Sequence, residues 1–190
     1  MNKLVALAFG SLFLVALPFT ATASGHAAKI QNYVDTDIRS WLASDELQSA
    51  IYQQNLNHVG LTDADINYLD LQWRAEKEVG GGDLISSRMN NQLSSFLRGI
   101  KAASKGVITE IFVMDNKGLN VGQTNGTGDY MQGDEAKWLK TYPVSAYAVF
   151  IDDVEEEDGI NISQTSLTVA RQNGFRLGAV TIGINVDALK

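Results

Sequence analysis

The hydrophobic period of this chain changes once, at Gly106, and that change restricts the folds open to it. Before Gly106 apolar residues recur at three- and four-residue spacing, which gathers them on one face of a helix. After it they run continuously or alternate, as they do in strands. Helices collected in one half and strands in the other indicate α+β architecture rather than alternating α/β units. The expected fold is therefore α+β, with long N-terminal helices packed on a five-stranded antiparallel sheet.

The helical half divides by its capping residues. Ile30, Val34, Ile38, Trp41 and Leu42 form the stripe of a first stretch running from about Ala28 to Asn57. Ser44, followed by Asp45 and Glu46, has the look of a fresh N-cap with an acidic first turn. That stretch is therefore one kinked helix or two, with Leu47, Ile51 and Leu56 in the second piece and Gly60 at its end. Thr62 caps a third helix carrying Ile66, Leu69 and Trp73, and Gly80-Gly81-Gly82 stops it. Asp83 is expected to cap a fourth helix reaching Ile100.

Val107 to Met114 is an apolar, β-branched run expected to be buried on both faces. Asp115-Asn116-Lys117-Gly118 supplies a hairpin turn, with Gly118 suited to positive φ, and Leu119 to Gln123 returns as a strand. A polar excursion follows, from Thr124 to about Pro143, holding one short helical segment near Glu135 to Leu139. Three further strands are expected at about Ala146 to Ile151, Ile160 to Ala170 and Phe175 to Val186. Asp152 to Gly159 is read as the link between the first two, and Gln172-Asn173-Gly174 as a hairpin between the last two.

The first residues carry an address. Lys3 precedes an uncharged apolar run from Leu4 to Leu17; Pro18 breaks the run, and Ala21-Thr22-Ala23 fits signal-peptidase cleavage. The run is shorter than the ~18 to 20 residues that span a bilayer, which disfavours an uncleaved anchor. We expect residues 1–23 to be a signal peptide and residues 24–190 a single periplasmic domain. Its helical part is residues 24–106 and its sheet part residues 107–190. The chain has no cysteine, so disulfides, thiolate metal sites and lipobox acylation are excluded. A formal charge of −7 argues against nucleic acid and anionic membrane as partners, and serves solubility.

No catalytic constellation is evident. His26 and His58 are too isolated for a triad or a zinc site, and both are read as surface residues. No phosphate loop, dinucleotide fingerprint or nucleophile elbow occurs. The acidic run Asp152, Asp153, Glu155, Glu156, Glu157, Asp158 lacks the ligand spacing of a calcium loop and is read as a solvated turn. The last strand is more informative. Ala179, Thr181, Gly183 and Asn185 alternate with Val180, Ile182, Ile184 and Val186. The large face should pack on helices, and the small face should leave room above the sheet. The excursion could close that room with Tyr130, Gln132, Asp134, Lys137, Trp138 and Tyr142, giving a small-molecule pocket. Equally, Tyr130 and Trp138 could simply anchor a long loop to the core.

Three segments together resemble a known family: "ITEIFVMDNKGLNVGQ" at Ile108 to Gln123, "GDYMQGDEAKW" at Gly128 to Trp138, and "GAVTIGINVDAL" at Gly178 to Leu189. In order and spacing they resemble the PDC/Cache group of PAS-like extracytoplasmic sensor domains. With "LTDADINYLD" and "WRAE" preceding the sheet, the chain is similar to stand-alone exported members. The resemblance implies helices packed on one face of a PAS-like antiparallel sheet. It also implies a small ligand, of the organic acid or amino acid class, on the opposite face, with Tyr130, Lys137, Trp138 and Thr181 as pocket candidates. No catalysis, cofactor or metal is implied. The chain departs from membrane-spanning members in having no second transmembrane helix and no kinase, cyclase or methyl-accepting module. A signal would therefore leave through a separate membrane receptor, kinase or cyclase. It also lacks the arginine-tryptophan-tyrosine clamp of amino-acid-binding members. The alternative is a structural or interaction module that keeps the fold without a functional pocket. A helix of ~30 residues spans ~45 Å against strands of ~17 to 20 Å. The early stripe, Ile30 to Ile38, is accordingly expected to stay exposed and to serve a second copy of the chain or a partner.

Overall fold

Residues 25–189 are described by a computed structural model, so the expected signal peptide, residues 1–23, lies outside the described residues. The first helical stretch is interrupted twice. Helix α1, Gly25–Tyr33, passes into a π-helical turn, Val34–Ile38, and on into α2, Arg39–Leu42. Ser44 then leaves the helical conformation, and its hydroxyl accepts a hydrogen bond from the Leu47 amide to start α3, Asp45–Asn57. Helix α4, Asp63–Glu78, begins with a capping box in which Thr62 and Asp65 exchange side-chain-to-backbone hydrogen bonds. Those bonds from Thr62 hold the Asp65 carboxyl below the usual carboxylate range.

The expected fourth helix is two. Asn91 breaks it, and the Asn91 side chain accepts from the Ser94 amide to begin a new helix. The pieces are α5, Asp83–Met89, and α6, Gln92–Ala103. Asp83 does not cap α5. The Glu76 carboxylate at the end of α4 does so instead, accepting from the amides of Leu84 at 3.2 Å and Ile85 at 2.8 Å. A cap supplied from the end of the preceding helix, eight residues before Leu84, falls outside the usual N-cap position.

Five strands follow: β1 Ile108–Met114, β2 Asn120–Gln123, β3 Val149–Glu157, β4 Ile160–Ala170 and β5 Arg176–Asn185. All pair antiparallel in the order β2-β1-β5-β4-β3, the strand order of a PAS-like sheet. The excursion between β2 and β3 contains α7, Ala136–Leu139, inside the segment expected for it. The acidic run is not a linking turn. It continues β3 past a bulge between Ile151 and Val154 and pairs with β4 as far as Glu157 opposite Ile160. Only Asp158 and Gly159, both at positive φ, turn the chain.

One side of the sheet meets the helices. Ile111, Val113, Leu167, Val169, Val180, Ile182 and Ile184 pack with Leu47, Ile51, Leu93 and Leu97 in one buried cluster. Ile30, Val34 and Ile38 belong to the same cluster and are wholly inaccessible. The expected exposed stripe is therefore not there, and this face of the N-terminal helices offers no surface to a second copy. The reason lies in dimensions. Strands β4 and β5 are 11 and 10 residues long, so β4 reaches roughly 36 Å at about 3.3 Å per residue. Meanwhile the break at Ser44 divides the helix into shorter pieces. A long sheet and a folded-back helix match where a short sheet and a straight helix would not. Each such buried side chain contributes about 1.5 to 3 kcal/mol of transfer free energy. Among the described residues, no helix is long and apolar enough to cross a membrane.

Candidate functional site

The side of the sheet away from the helices carries different chemistry. Strand pairing sets Phe112 opposite Thr181, Thr181 opposite Ser166, and Ser166 opposite Phe150. Residues paired across antiparallel strands share a face, so these four form one row: ring, hydroxyl, hydroxyl, ring. The two hydroxyls are hydrogen-bonded at 2.9 Å and are fully buried. Lysines lie over both rings. The Lys137 ammonium is 5.2 Å from the centre of the Phe112 ring, and that of Lys140 is 4.0 Å from the Phe150 ring. Both are within cation–π range. Lys137 is also paired with Glu135 at 2.8 Å. Among the described residues no carboxylate pairs with Lys140.

Two sets of side chains flank the row. On one side, Trp138 and Tyr142 stack with ring centres 5.2 Å apart and pack against Phe112, Met114 and Ala179. On the other, Glu110 accepts a hydrogen bond from the Gln164 amide at 3.0 Å. Burial raises the Glu110 carboxyl above its ordinary range and the nearby Glu157 adds to the rise, while Lys137 opposes it. The expected room above the small residues of β5 is occupied. A side chain at Gly183 would meet Glu110 Cγ at 2.9 Å, and Ala179 lies beneath Met114 and the Trp138–Tyr142 pair. Small residues on β5 make way for large ones on β1 and on the excursion.

The excursion is held from two directions. From α4, Asp70 accepts from the amides of Tyr130 and Met131 at 2.9 and 3.0 Å. Arg74 pairs with Asp129 at 3.1 Å, and the Trp73 indole and the Lys77 ammonium both donate to the Thr127 carbonyl. The segments "LTDADINYLD" and "WRAE" thus supply the clamp on the loop. From the β1–β2 turn, Gly118 at φ +80° packs against the backbone of Gly133, where a side chain would collide. Asp115, fully buried, closes this turn by accepting from the amides of Lys117 and Leu119. Its second oxygen accepts from the Gln54 amide at 3.0 Å and lies 2.8 Å from His58 Nδ1, and its carbonyl accepts from the Trp138 indole at 3.3 Å. His58 is therefore not a surface histidine. Its side chain is 12% exposed and ties the end of α3 to the turn.

Three of the four candidate site residues meet on this face: Thr181 in the row, Lys137 above it and Trp138 beside it. Tyr130 does not join them. It is fully buried in a separate cluster with Trp73, Leu84 and Leu119, stacked 5.6 Å from Trp73. Its hydroxyl accepts from Arg88 Nε and Nη2 at 3.0 and 2.9 Å. Burial raises its hydroxyl's pKa, and the Arg88 guanidinium partly offsets this. Sequence reasoning missed Phe112, Phe150, Ser166 and Lys140, which are revealed by register between distant strands. It also missed Asp70 and Asp115, whose partners are 60 or so residues away.

No protein-family model matches the chain, and no curated protein matches it. Solved structures with a similar backbone course include the E. coli DcuS sensor domain, at 11% identity and TM-score 0.49, covering 86% of this chain and 93% of that one. The V. cholerae histidine kinase DctB sensor domain is matched at 11% identity and TM-score 0.47, over 86% of this chain and 53% of that one. The ligand-binding domain of the Pseudomonas aeruginosa PAO1 amino acid chemoreceptor PctC, in complex with GABA, is matched at 14% identity and TM-score 0.39, over 86% and 58%. This chain thus spans about half the length of the DctB domain. The fold assignment stands on the sheet order itself.

Proposed function

We propose that residues 24–190 form a periplasmic, non-catalytic sensor domain, exported by residues 1–23, that binds a small organic anion on the sheet face opposite the helices. The observation that carries this reading is the row Phe112–Thr181–Ser166–Phe150 with Lys137 and Lys140 above it. Two ammonium groups over rings, with hydroxyls between, suit a carboxylate whose carbon skeleton rests on the phenyl faces. The ligand class is an organic acid or an amino acid bound through its carboxylate. The segment carrying Lys137, Trp138 and Lys140 must lift to admit it. That movement changes the outer surface of the excursion, which a separate membrane receptor, kinase or cyclase could read.

A thermal-shift screen with organic acids, amino acids and amines tests the reading. Ligand at 100 times its Kd should stabilise the fold by about 2.7 kcal/mol. Lys137→Ala and Trp138→Ala should each remove the shift while the protein still unfolds cooperatively. If no carboxylate stabilises the protein, or if both variants keep the shift, the proposal fails.

A second reading also has an observation behind it. Ser166 and Thr181 are wholly inaccessible, and the Trp138–Tyr142 stack already fills part of the face. On that reading the module keeps the PAS-like fold with its ligand face packed shut, and acts through its surface alone.

A further inference from the structure

On the helix side of the sheet, α3, α5, α6 and β2 line an open cleft of about 270 Å³. Its lining includes Gln53, Asn57, His58, Arg88, Gln92 and Val121. In a chain with 22 acidic and 15 basic side chains, no carboxylate lines this cleft among the described residues. Arg88 and the side-chain amides are donors with capacity to spare. Arg88 uses Nε and Nη2 on the Tyr130 hydroxyl and Nη1 on Ser87, which leaves two of its five N–H groups. His58 faces Asp115 through Nδ1. A carboxylate only accepts, so the Nδ1 hydrogen is committed to Asp115, and the donors facing the space come from Arg88 and the amides. The side-chain amides of Gln53, Asn57 and Gln92 make no hydrogen bond among the described residues. The first turn of α6 opens on the same space, with its dipole positive toward it.

We propose that this cleft is a second binding site, for a small oxyanion of the carboxylate or phosphate class. Arg88 supplies the charge, and the three amides complete the donor set around it. The site is independent of the one on the opposite face, but it touches both tethers of the excursion. Arg88 holds Tyr130, and His58 holds Asp115, whose carbonyl receives the Trp138 indole. An anion here draws on the same arginine that holds Tyr130, next to the histidine that holds Asp115.

Isotope-labelled protein titrated at fixed ionic strength with sodium succinate, and separately with inorganic phosphate, tests this by NMR. Saturable shifts are expected at the side-chain amides of Gln53, Asn57 and Gln92 and at Arg88 Nε–H, and the arm that saturates names the class. The double change Gln53→Glu and Gln92→Glu alters exposed, unbonded side chains, and surface changes of that kind leave stability nearly unchanged. It should weaken the binding by about tenfold or more, because like charges then meet in the site. Lys137→Ala should leave it intact. Shifts that stay linear and are matched by chloride would overturn the proposal. So would saturation that survives the double change, or that disappears in Lys137→Ala, since the anion would then sit on the opposite face.

Discussion

The two faces of the central strand β5 are built to different rules. Toward the helices, Val180, Ile182 and Ile184 meet aliphatic neighbours from β1, β4 and α3, with the Thr165 hydroxyl buried among them and without a partner among the described residues. On the other side Ala179, Thr181 and Gly183 are small, and rings, hydroxyls, an acid and two lysines collect above them. The first face can exchange one aliphatic residue for another of similar volume at modest cost. The second cannot, because the Ser166–Thr181 hydroxyls, Glu110 with Gln164, and the lysines over the rings each hold a specific partner. Stability resides mainly on one face and chemistry on the other, one residue apart along the same strand.

The strongest test of that contrast is Ile182→Ala. It empties a fully buried position and should cost about 2 to 5 kcal/mol in urea denaturation, without affecting any ligand response that survives unfolding losses. A cost below 1 kcal/mol would mean the helix side is not the principal core. Thr181→Leu, one residue away, should cost less, about 1 to 2 kcal/mol, from the lost Ser166 hydrogen bond and crowding against Phe112. It should also abolish carboxylate-induced thermal stabilisation. If the stabilisation persists, the ligand lies elsewhere and the packed-face reading gains.

The smallest effect is expected at Glu110, and it depends on pH. Burial raises its carboxyl's pKa in the folded state. Folding therefore favours the protonated form, and the native protein loses stability as pH rises from the ordinary glutamate range through the raised value. Glu110→Gln removes that penalty. The variant should be the more stable at neutral pH, with the difference fading as the solution is acidified below the ordinary glutamate range. A difference that grows on acidification would contradict the assigned direction.

The sheet was legible in the sequence because its signals are local. The change of period at Gly106, the Asp115–Gly118 turn and the alternation along β5 each fall within a dozen residues, and the structure realises all three. The helix starts at Ser44 and Thr62 were legible for the same reason. What escaped depends on partners far along the chain. Asp70 holds a loop 60 positions on, and Glu76, though only nine residues from Ile85, reaches it across a glycine turn that separates two helices. The burial of Ile30, Val34 and Ile38 turns on strand length: about 17 to 20 Å is the expectation for the strands, whereas β4 and β5 run to 11 and 10 residues, and separately β3 runs past the charged residues expected to end it. In the candidate site, Lys137, Trp138 and Thr181 come together because loop and strand chemistry placed them. Tyr130 goes elsewhere because Arg88, on a helix, claims its hydroxyl.

That misread strand has one more consequence. β3 is an outer strand of the sheet, and no strand pairs with its far side among the described residues. An unpaired strand is a template on which another molecule could add a strand of its own. Here the outer half carries Asp152, Asp153, Glu155, Glu156 and Glu157, so an approaching copy would set carboxylates against carboxylates on both surfaces of the growing sheet. The opposite border, β2, is four residues long and is bridged beyond its start by Leu119 and Met131. Repulsion guards one border and brevity the other, and each disfavours the addition of a sixth strand from a second copy.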